Sequence, residues 1–409
     1  MKKNLLLITD SFPRWEGDVG SSLQMLDFAS VMTRKFNVFV LTPHQNCCAA
    51  FEKLNEINVI RHKYLYPKWE SICSGAGFME NMKKKASAKL LFPFFAVSEF
   101  ISVIKTVKRY NIDLINAHGL FPHGIIVSVV KKFIKIPHIL SIADTSFVYL
   151  SKFDYLGNYL IKFTLRNSDK VVAACVYIRY LLEKIAGNSF ANSIIPIGID
   201  AERFVLPKEK KNLRKNLDIA KHEKIFLFED RLIEKSGIQY LLESAKLLKA
   251  DKVEFKLLII GTGNMEPDLR KWIKTNSMEN NVKLISETAN SLIYDYYTIA
   301  DAVVVPFTQD VYGDIDGLPV ALMNAFAAGI PVIASKTGGA SDIIKDYHNG
   351  WLFENKNYYD LYSKMKLIFN SPYLDSVKAN MQSSADTFNI ELIAEKYCGL
   401  FDEYIGLKK

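Results

Sequence analysis

Paired cysteines at metal-binding spacing are absent from this sequence. The five that occur (Cys47, Cys48, Cys73, Cys175 and Cys398) are odd in number and scattered. That pattern fits reduced thiols in a reducing compartment rather than a disulfide framework or a zinc site. A long apolar run is also missing. The opening "MKKNLLLITDSFP" breaks at Asp10, too early for a signal sequence, and reads as a buried first strand. The stretch "LLFPFFAVSEFISVI" (90–104) is interrupted by Pro93 and Glu99 and falls short of a membrane span of roughly 20 residues. A cytoplasmic location is the expectation. No G-x-G-x-x-G fingerprint, serine nucleophile elbow, short-period repeat or low-complexity tract is present, which speaks against several common enzyme classes.

What is present is a two-domain pattern. The chain has 409 residues, 49% apolar and 23% charged, too many for one ordinary core. Short apolar runs rich in β-formers alternate with helical patterns, as in parallel sheets built from βαβ units. The first half offers strands at 5–9, 38–42, 58–62, 114–118, 138–142 and 170–174. The second offers 225–229, 256–261, 282–286, 302–307 and 331–335. Between them, residues 195–217 lose the apolar rhythm and gain charge, as a domain junction does. The fold expected is α/β, with two facing doubly wound domains and a ligand crevice beyond the carboxyl ends of the strands. Charge is uneven: 25 Lys and Arg stand against 15 Asp and Glu in residues 1–200, and 27 against 29 in the rest. The first half therefore suits an anionic partner. An anionic membrane surface fits better than nucleic acid, because "NMKKKASAKLLFPFF" (81–95) sets lysines directly before an apolar, aromatic stretch. A solvated lysine face on a core helix is the other reading.

Two segments of the second half could hold an anion. "DIDGLPVALMNAFAAGIPV" (314–332) runs from an acidic loop into a helix that Pro319 opens and Gly329 closes. Its first N–H groups, around Gly317, Leu318 and Pro319, suit a phosphate. Asp316 either caps that helix or meets a ligand hydroxyl, and Asn324 either binds a ribose hydroxyl or fills a polar edge. In "FLFEDRLIEKSG" (226–237), Arg231 and Lys235 follow a strand. They are either solvated or a cationic partner for a departing diphosphate. The loop "TDSFPRWEGDVGSS" (9–22) holds Gly17 and Gly20, suited to approach a substrate. His118 and His123 of "NAHGLFPHG" (116–124) either orient a hydroxyl or are structural. No histidine, cysteine and carboxylate cluster has metal spacing.

Together these stretches resemble the family 4 retaining glycosyltransferases, of two-domain GT-B fold, over nearly the whole chain. The resemblance is strongest in "DIDGLPVALMNAFAAGIPVIASKTGGASDII" (314–344). Supporting stretches are "DRLIEKSGIQYLLESA" (230–245), "LLIIGTGNMEPDL" (257–269), "IPIGID" (195–200) and the final "FNIELIAEKYCGLFDEY" (388–404). It implies an acceptor-side domain over 1–200, to which a helix at 388–409 returns, and a nucleotide-sugar domain over 201–387. It further implies sugar transfer from a nucleotide sugar to a glycan or lipid-linked acceptor in polysaccharide biosynthesis, without a metal or other cofactor. By this resemblance Asp316 binds the donor sugar and Asn324 the ribose. Arg231, Lys235 and the helix start at Gly317–Pro319 meet the leaving diphosphate, and Gly17 and Gly20 approach it. Gly261 joins the donor-binding residues and His118 the catalytic ones. The sequence departs from the family pattern at Ala143, Ile197, Asp230, Ser236 and Asn324. A silent GT-B protein acting as a glycan-binding or partner subunit is the alternative, and a GT-B epimerase a third.

Overall fold

The structure, a computed structural model, describes residues 2–15, 18, 23–46, 48–75, 77–188, 190–204, 210–285 and 290–406. Gly17 and Gly20 lie outside the described residues. The chain divides into two compact units, Met1–Gly198 with Ile390–Lys409, and Ile199–Asn389.

The first unit is built on β1 (Lys3–Ile8), β2 (Phe36–Pro43), β3 (Phe51–Leu54), β4 (Ile57–His62), β5 (Leu114–His118), β6 (His138–Ile142), β7 (Lys170–Ala173) and β8 (Asn192–Ile194). They form one sheet in the order β3-β4-β2-β1-β5-β6-β7-β8, parallel except where β3 meets β4. Leu5, Leu6 and Leu7 of β1 are fully buried. Such an unbroken apolar strand is what a parallel sheet covered on both faces requires. Leu5 and Leu7 share a core cluster with Phe28 and Met32 of helix α1 (Leu23–Met32) and with Ile393, Tyr397 and Phe401 of the last helix, Ile390–Gly406. Helices α2 (Phe78–Lys84) and α3 (Ala86–Arg109) add a second, aromatic cluster around Phe78 and Phe95.

Helix α3 is longer than the apolar run within it. At 24 residues, with a mean hydropathy of 1.7 in its most apolar window, it is long and apolar enough to cross a membrane by length and composition. Its inner face nonetheless belongs to the first unit: Phe95, Glu99 and Val103 are buried there. Its outer face is unusual for a surface helix, with Leu90, Phe94, Val97 and Ile101 all exposed. Their spacing places them along one stripe.

The second unit contains β9 (Lys224–Glu229), β10 (Phe255–Ile260), β11 (Val282–Ile285), β12 (Ala302–Val305), β13 (Val332–Ser335) and β14 (Trp351–Phe353). They lie in the order β11-β10-β9-β12-β13-β14, all parallel. The direction of winding reverses between β9 and β12, where ligands of such sheets bind. Helix α4 (Ile238–Ala250) follows β9, and helix α5 (Val320–Ala328) follows β12. Pro319, expected as the first helical residue, is instead the N-cap, with an extended ψ of 132°. Gly329 closes α5 in the left-handed region, at φ 67°, as a residue without Cβ does readily. The last helix of the chain is labelled α6 below.

Candidate active site

In the second unit the loops that follow β9, β10, β12 and β13 interlock at the carboxyl edge of the sheet. Thr308 N–H donates to the Lys235 carbonyl at 2.8 Å, Leu232 N–H to Thr262 at 2.9 Å, and Gly339 N–H to Gly317 at 2.7 Å. Gly261 sits so close to this crossing that an added Cβ would lie 1.8 Å from the Asp230 carbonyl oxygen. With φ at +150°, it admits no other residue without a shift of the backbone.

Two charged clusters occupy that edge. In the first, the buried Lys235 ammonium lies 2.7 Å from Asp316 and 3.2 Å from Asp314. Burial works against its charge, but the two carboxylates outweigh burial and hold its pKa above the usual lysine value. Asp316 therefore does not cap α5, whose N-terminus has no side-chain cap. Lys235, expected as a cation for a diphosphate, has two of its three donors engaged by acids. Arg231 is exposed. Asp230 has a buried Oδ2 without a hydrogen-bond partner among the described residues. Its pKa is pushed up to about 7, first by burial and then by the nearby Asp316 charge, with Arg231 and Lys235 pulling the other way.

The second cluster surrounds Glu229, the last residue of β9. Tyr297 O–H donates to its Oε2 at 2.6 Å, and the Asn324 amide approaches the same oxygen at 3.3 Å. Burial raises the Glu229 pKa, while those two hydrogen bonds oppose the rise. No motif singled out Glu229. The available signal was an acid ending an otherwise apolar strand, "KIFLFE".

In the first unit the equivalent sheet edge holds a cavity of about 220 Å³, lined by His118, His123, Asp10, Asp144, Phe28 and Tyr397 among others. Its lining comes from the carboxyl ends of β1, β5, β6 and β7, with β1 and β5 neighbours in the sheet. His118 ends β5, and burial lowers its pKa to about 3. Of the residues singled out in the sequence, Asp316, Lys235, Arg231, Gly261, Gly317, Leu318, Pro319 and Asn324 thus stand on one sheet edge of the second unit. His118 stands in the first.

The comparisons with known proteins agree on family. Residues 209–386 match the family model "Glycosyl transferases group 1", and residues 20–203 match "Glycosyltransferase Family 4". One curated relative, the uncharacterized glycosyltransferase MJ1178 of Methanocaldococcus jannaschii, is 25% identical over 69% of this chain and 73% of its own length. The amylovoran biosynthesis glycosyltransferase AmsK of Erwinia amylovora is 34% identical over 39% of this chain and 40% of its own length. Among solved structures, Anabaena Alr3699/HepE in complex with UDP-glucose superposes with a TM-score of 0.74 at 16% identity, covering 98% of this chain and 99% of that one.

Proposed function

This chain belongs to the family 4 type of glycosyltransferases with the GT-B fold, and we propose that it moves a sugar from a nucleotide sugar to a glycan or lipid-linked acceptor in polysaccharide biosynthesis. The observation that carries the proposal is the convergence of two carboxylate clusters with Arg231 and the start of α5 at the winding reversal of the second sheet. Asp316 accepts a hydrogen bond from a hydroxyl of the donor sugar, and Lys235 fixes the carboxylate for that task. The leaving diphosphate lies between Arg231, Lys235 and the N–H groups at the start of α5, with Gly261 permitting its approach. The acceptor oxygen forms the new bond to the anomeric carbon. The bond from that carbon to the diphosphate oxygen breaks, and the acceptor proton passes to the released diphosphate. Retention of anomeric configuration and independence from metal are part of the proposal. AmsK is named for a polysaccharide pathway and HepE binds UDP-glucose, which supports this substrate class.

The ribose is assigned to the second cluster. Asn324 carries no charge, but Glu229 stands against it and supplies the carboxylate that a vicinal diol needs. We place the protein at the cytoplasmic face of a membrane, held through the apolar stripe of α3 and its neighbouring lysines. Calorimetric titration with uridine and guanosine diphosphate sugars tests the central reading. One of them binds, and Asp316→Ala weakens it by about 10- to 100-fold, the worth of a hydrogen bond to a charged group. Absence of binding across the panel overturns it.

A further inference from the structure

Residues 148–167, "VYLSKFDYLGNYLIKFTLRN", fold into a short helix, Val148–Ser151, and a longer one, Asp154–Asn167. The corner between them is built at a conformational cost. Asp154 lies in the left-handed region at φ 45°, where glycine is the favoured residue. The helices press so close that a Cβ on Gly157 would lie 1.7 Å from the Leu150 carbonyl oxygen. Inward, Gly157, Ile161, Thr164 and Leu165 are buried and belong to the first unit. The corner sends its other large side chains outward. Tyr155 is 87% and Leu156 62% exposed, with Phe153 and Tyr159 exposed beside them. Phe153 is braced edge-on against the buried Tyr149 ring, centroids 5.6 Å apart. Single exposed apolar residues are ordinary, but four large ones within seven positions mark a surface that meets something.

The neighbouring helices indicate what that is. The helix Ile125–Val130 packs against both α3 and Asp154–Asn167, so the corner continues the exposed stripe of α3. Val129, near the end of that intervening helix, and Phe133, just beyond it, are exposed as well. The Lys132 ammonium lies over the Phe163 ring, 5.8 Å from its centroid, and that ring stacks with Tyr159. Over residues 86–109, 125–135 and 148–167 there are ten Lys and Arg against two Asp and Glu, and one of the two acids, Glu99, is fully buried. The surface is thus apolar and cationic at once. A nucleic acid would match the charge and leave the apolar side chains in water. An anionic bilayer takes both: lysine heads reach lipid phosphates while their stems lie along apolar surface, and tyrosines sit at headgroup level with phenylalanine and leucine beneath.

We propose that this corner is a second membrane-inserting element, in which Phe153, Tyr155, Leu156 and Tyr159 enter the headgroup region of an anionic bilayer beside α3. Its role rests on the membrane placement proposed above and extends it. A single helix lying on a surface can roll about its own axis. Contacts from two helices, with a third between them, stop that roll and fix which way the first unit faces.

The test uses the full chain and vesicles of phosphatidylcholine mixed with phosphatidylserine. Leu156→Ser, with α3 unchanged, should weaken vesicle binding by about tenfold or more, the worth of burying one leucine. Its thermal midpoint and nucleotide-sugar binding should stay as in wild type, because the side chain faces solvent in the free protein. Leu156→Trp should bind vesicles as wild type does. Bromine on the lipid acyl chains should then quench its emission beyond any loss from Trp15, Trp69, Trp272 and Trp351, which wild type measures. Equal vesicle binding by Leu156→Ser and wild type, or emission from position 156 that bromine leaves untouched, overturns the inference while the placement through α3 stands. Wild type that binds no vesicles overturns both. Self-association in the absence of lipid, seen by sedimentation and lost in Leu156→Ser, would give the corner to a second copy of the chain and overturn the lipid assignment.

Discussion

Asp230 places a carboxyl group beside the proposed diphosphate position, where an ionised acid would repel the ligand. Its environment moderates the conflict, because burial and Asp316 push its pKa up to about 7. The folded state holds this proton over the range from its usual value near 4 to about 7, where the unfolded chain has lost it. Its contribution to stability therefore falls as pH rises through that window and levels off above it. Donor affinity should fall with rising pH between 6 and 8 for the same reason, and Asp230→Asn should flatten both trends, measured by calorimetry and by urea midpoints. A slope that survives in Asp230→Asn assigns it to another group. The neighbouring Glu229 supports a second prediction. Glu229→Gln should weaken the donor by about tenfold by removing the charge from the diol acceptor. Asn324→Glu should not strengthen it, because two carboxylates would share one site. Stronger donor binding by Asn324→Glu would return the ribose role to position 324. The sequence made Asn324 look like a lost charge. It shows which residues fill a motif but not which side chain reaches them from another strand, and only the fold places Glu229 at that amide.

At the scale of elements, α3 carries two incompatible faces. Inside, Glu99 and Phe95 tie it to the first unit; outside, Leu90 is 74%, Phe94 54% and Val97 58% exposed. Lys89 and Lys105 are exposed on the same helix and Lys85 at its N-cap, and Phe133, 70% exposed, extends the apolar surface beside Phe100. Anionic vesicles should bind the protein, and raising salt to about 1 M, where the Debye length falls to about 3 Å, should weaken binding. Leu90→Asp with Phe94→Asp should remove the apolar component. Because both side chains already face solvent, folding stability should change by no more than about 0.5 kcal/mol per site. Equal vesicle binding by wild type and the double variant would clear the stripe of this role. The lysine-then-apolar order was legible in the sequence, but the face was not. Pro93 and Glu99 looked like interruptions, yet the helix runs through both, since Glu99 turns inward to His123. Strands divided similarly: β5 and β6 are buried throughout or nearly so and stood out as apolar runs. By contrast β3, "FEKL", is an edge strand with alternating exposure that no apolar run announced.

At the scale of the molecule, each unit has its own sheet and core, and the first is completed by the chain's far end. Tyr397 O–H meets Ser141 Oγ at 3.1 Å, and the Phe401 ring packs edge-on against Phe36 with centroids 5.8 Å apart. The fold class was legible because buried parallel strands leave continuous apolar runs such as "LLLI" of β1 and "LLII" of β10, whereas strand order and the partners of α6 depend on contacts far apart in sequence. The units should respond to separate perturbations. Phe401→Ala opens a cavity in the first core and should cost about 3–5 kcal/mol. For a unit of this size, each kcal/mol moves the midpoint by about 2–4 °C. A nucleotide sugar at about 100 times its dissociation constant should stabilise the second unit by about 2.7 kcal/mol. Scanning calorimetry should then show one transition lowered by Phe401→Ala and another raised by the donor, with each perturbation leaving the other transition in place. A single transition moved by both would mean that the two cores melt as one cooperative body, and the donor's stabilisation would then have to reach α6 through the whole fold.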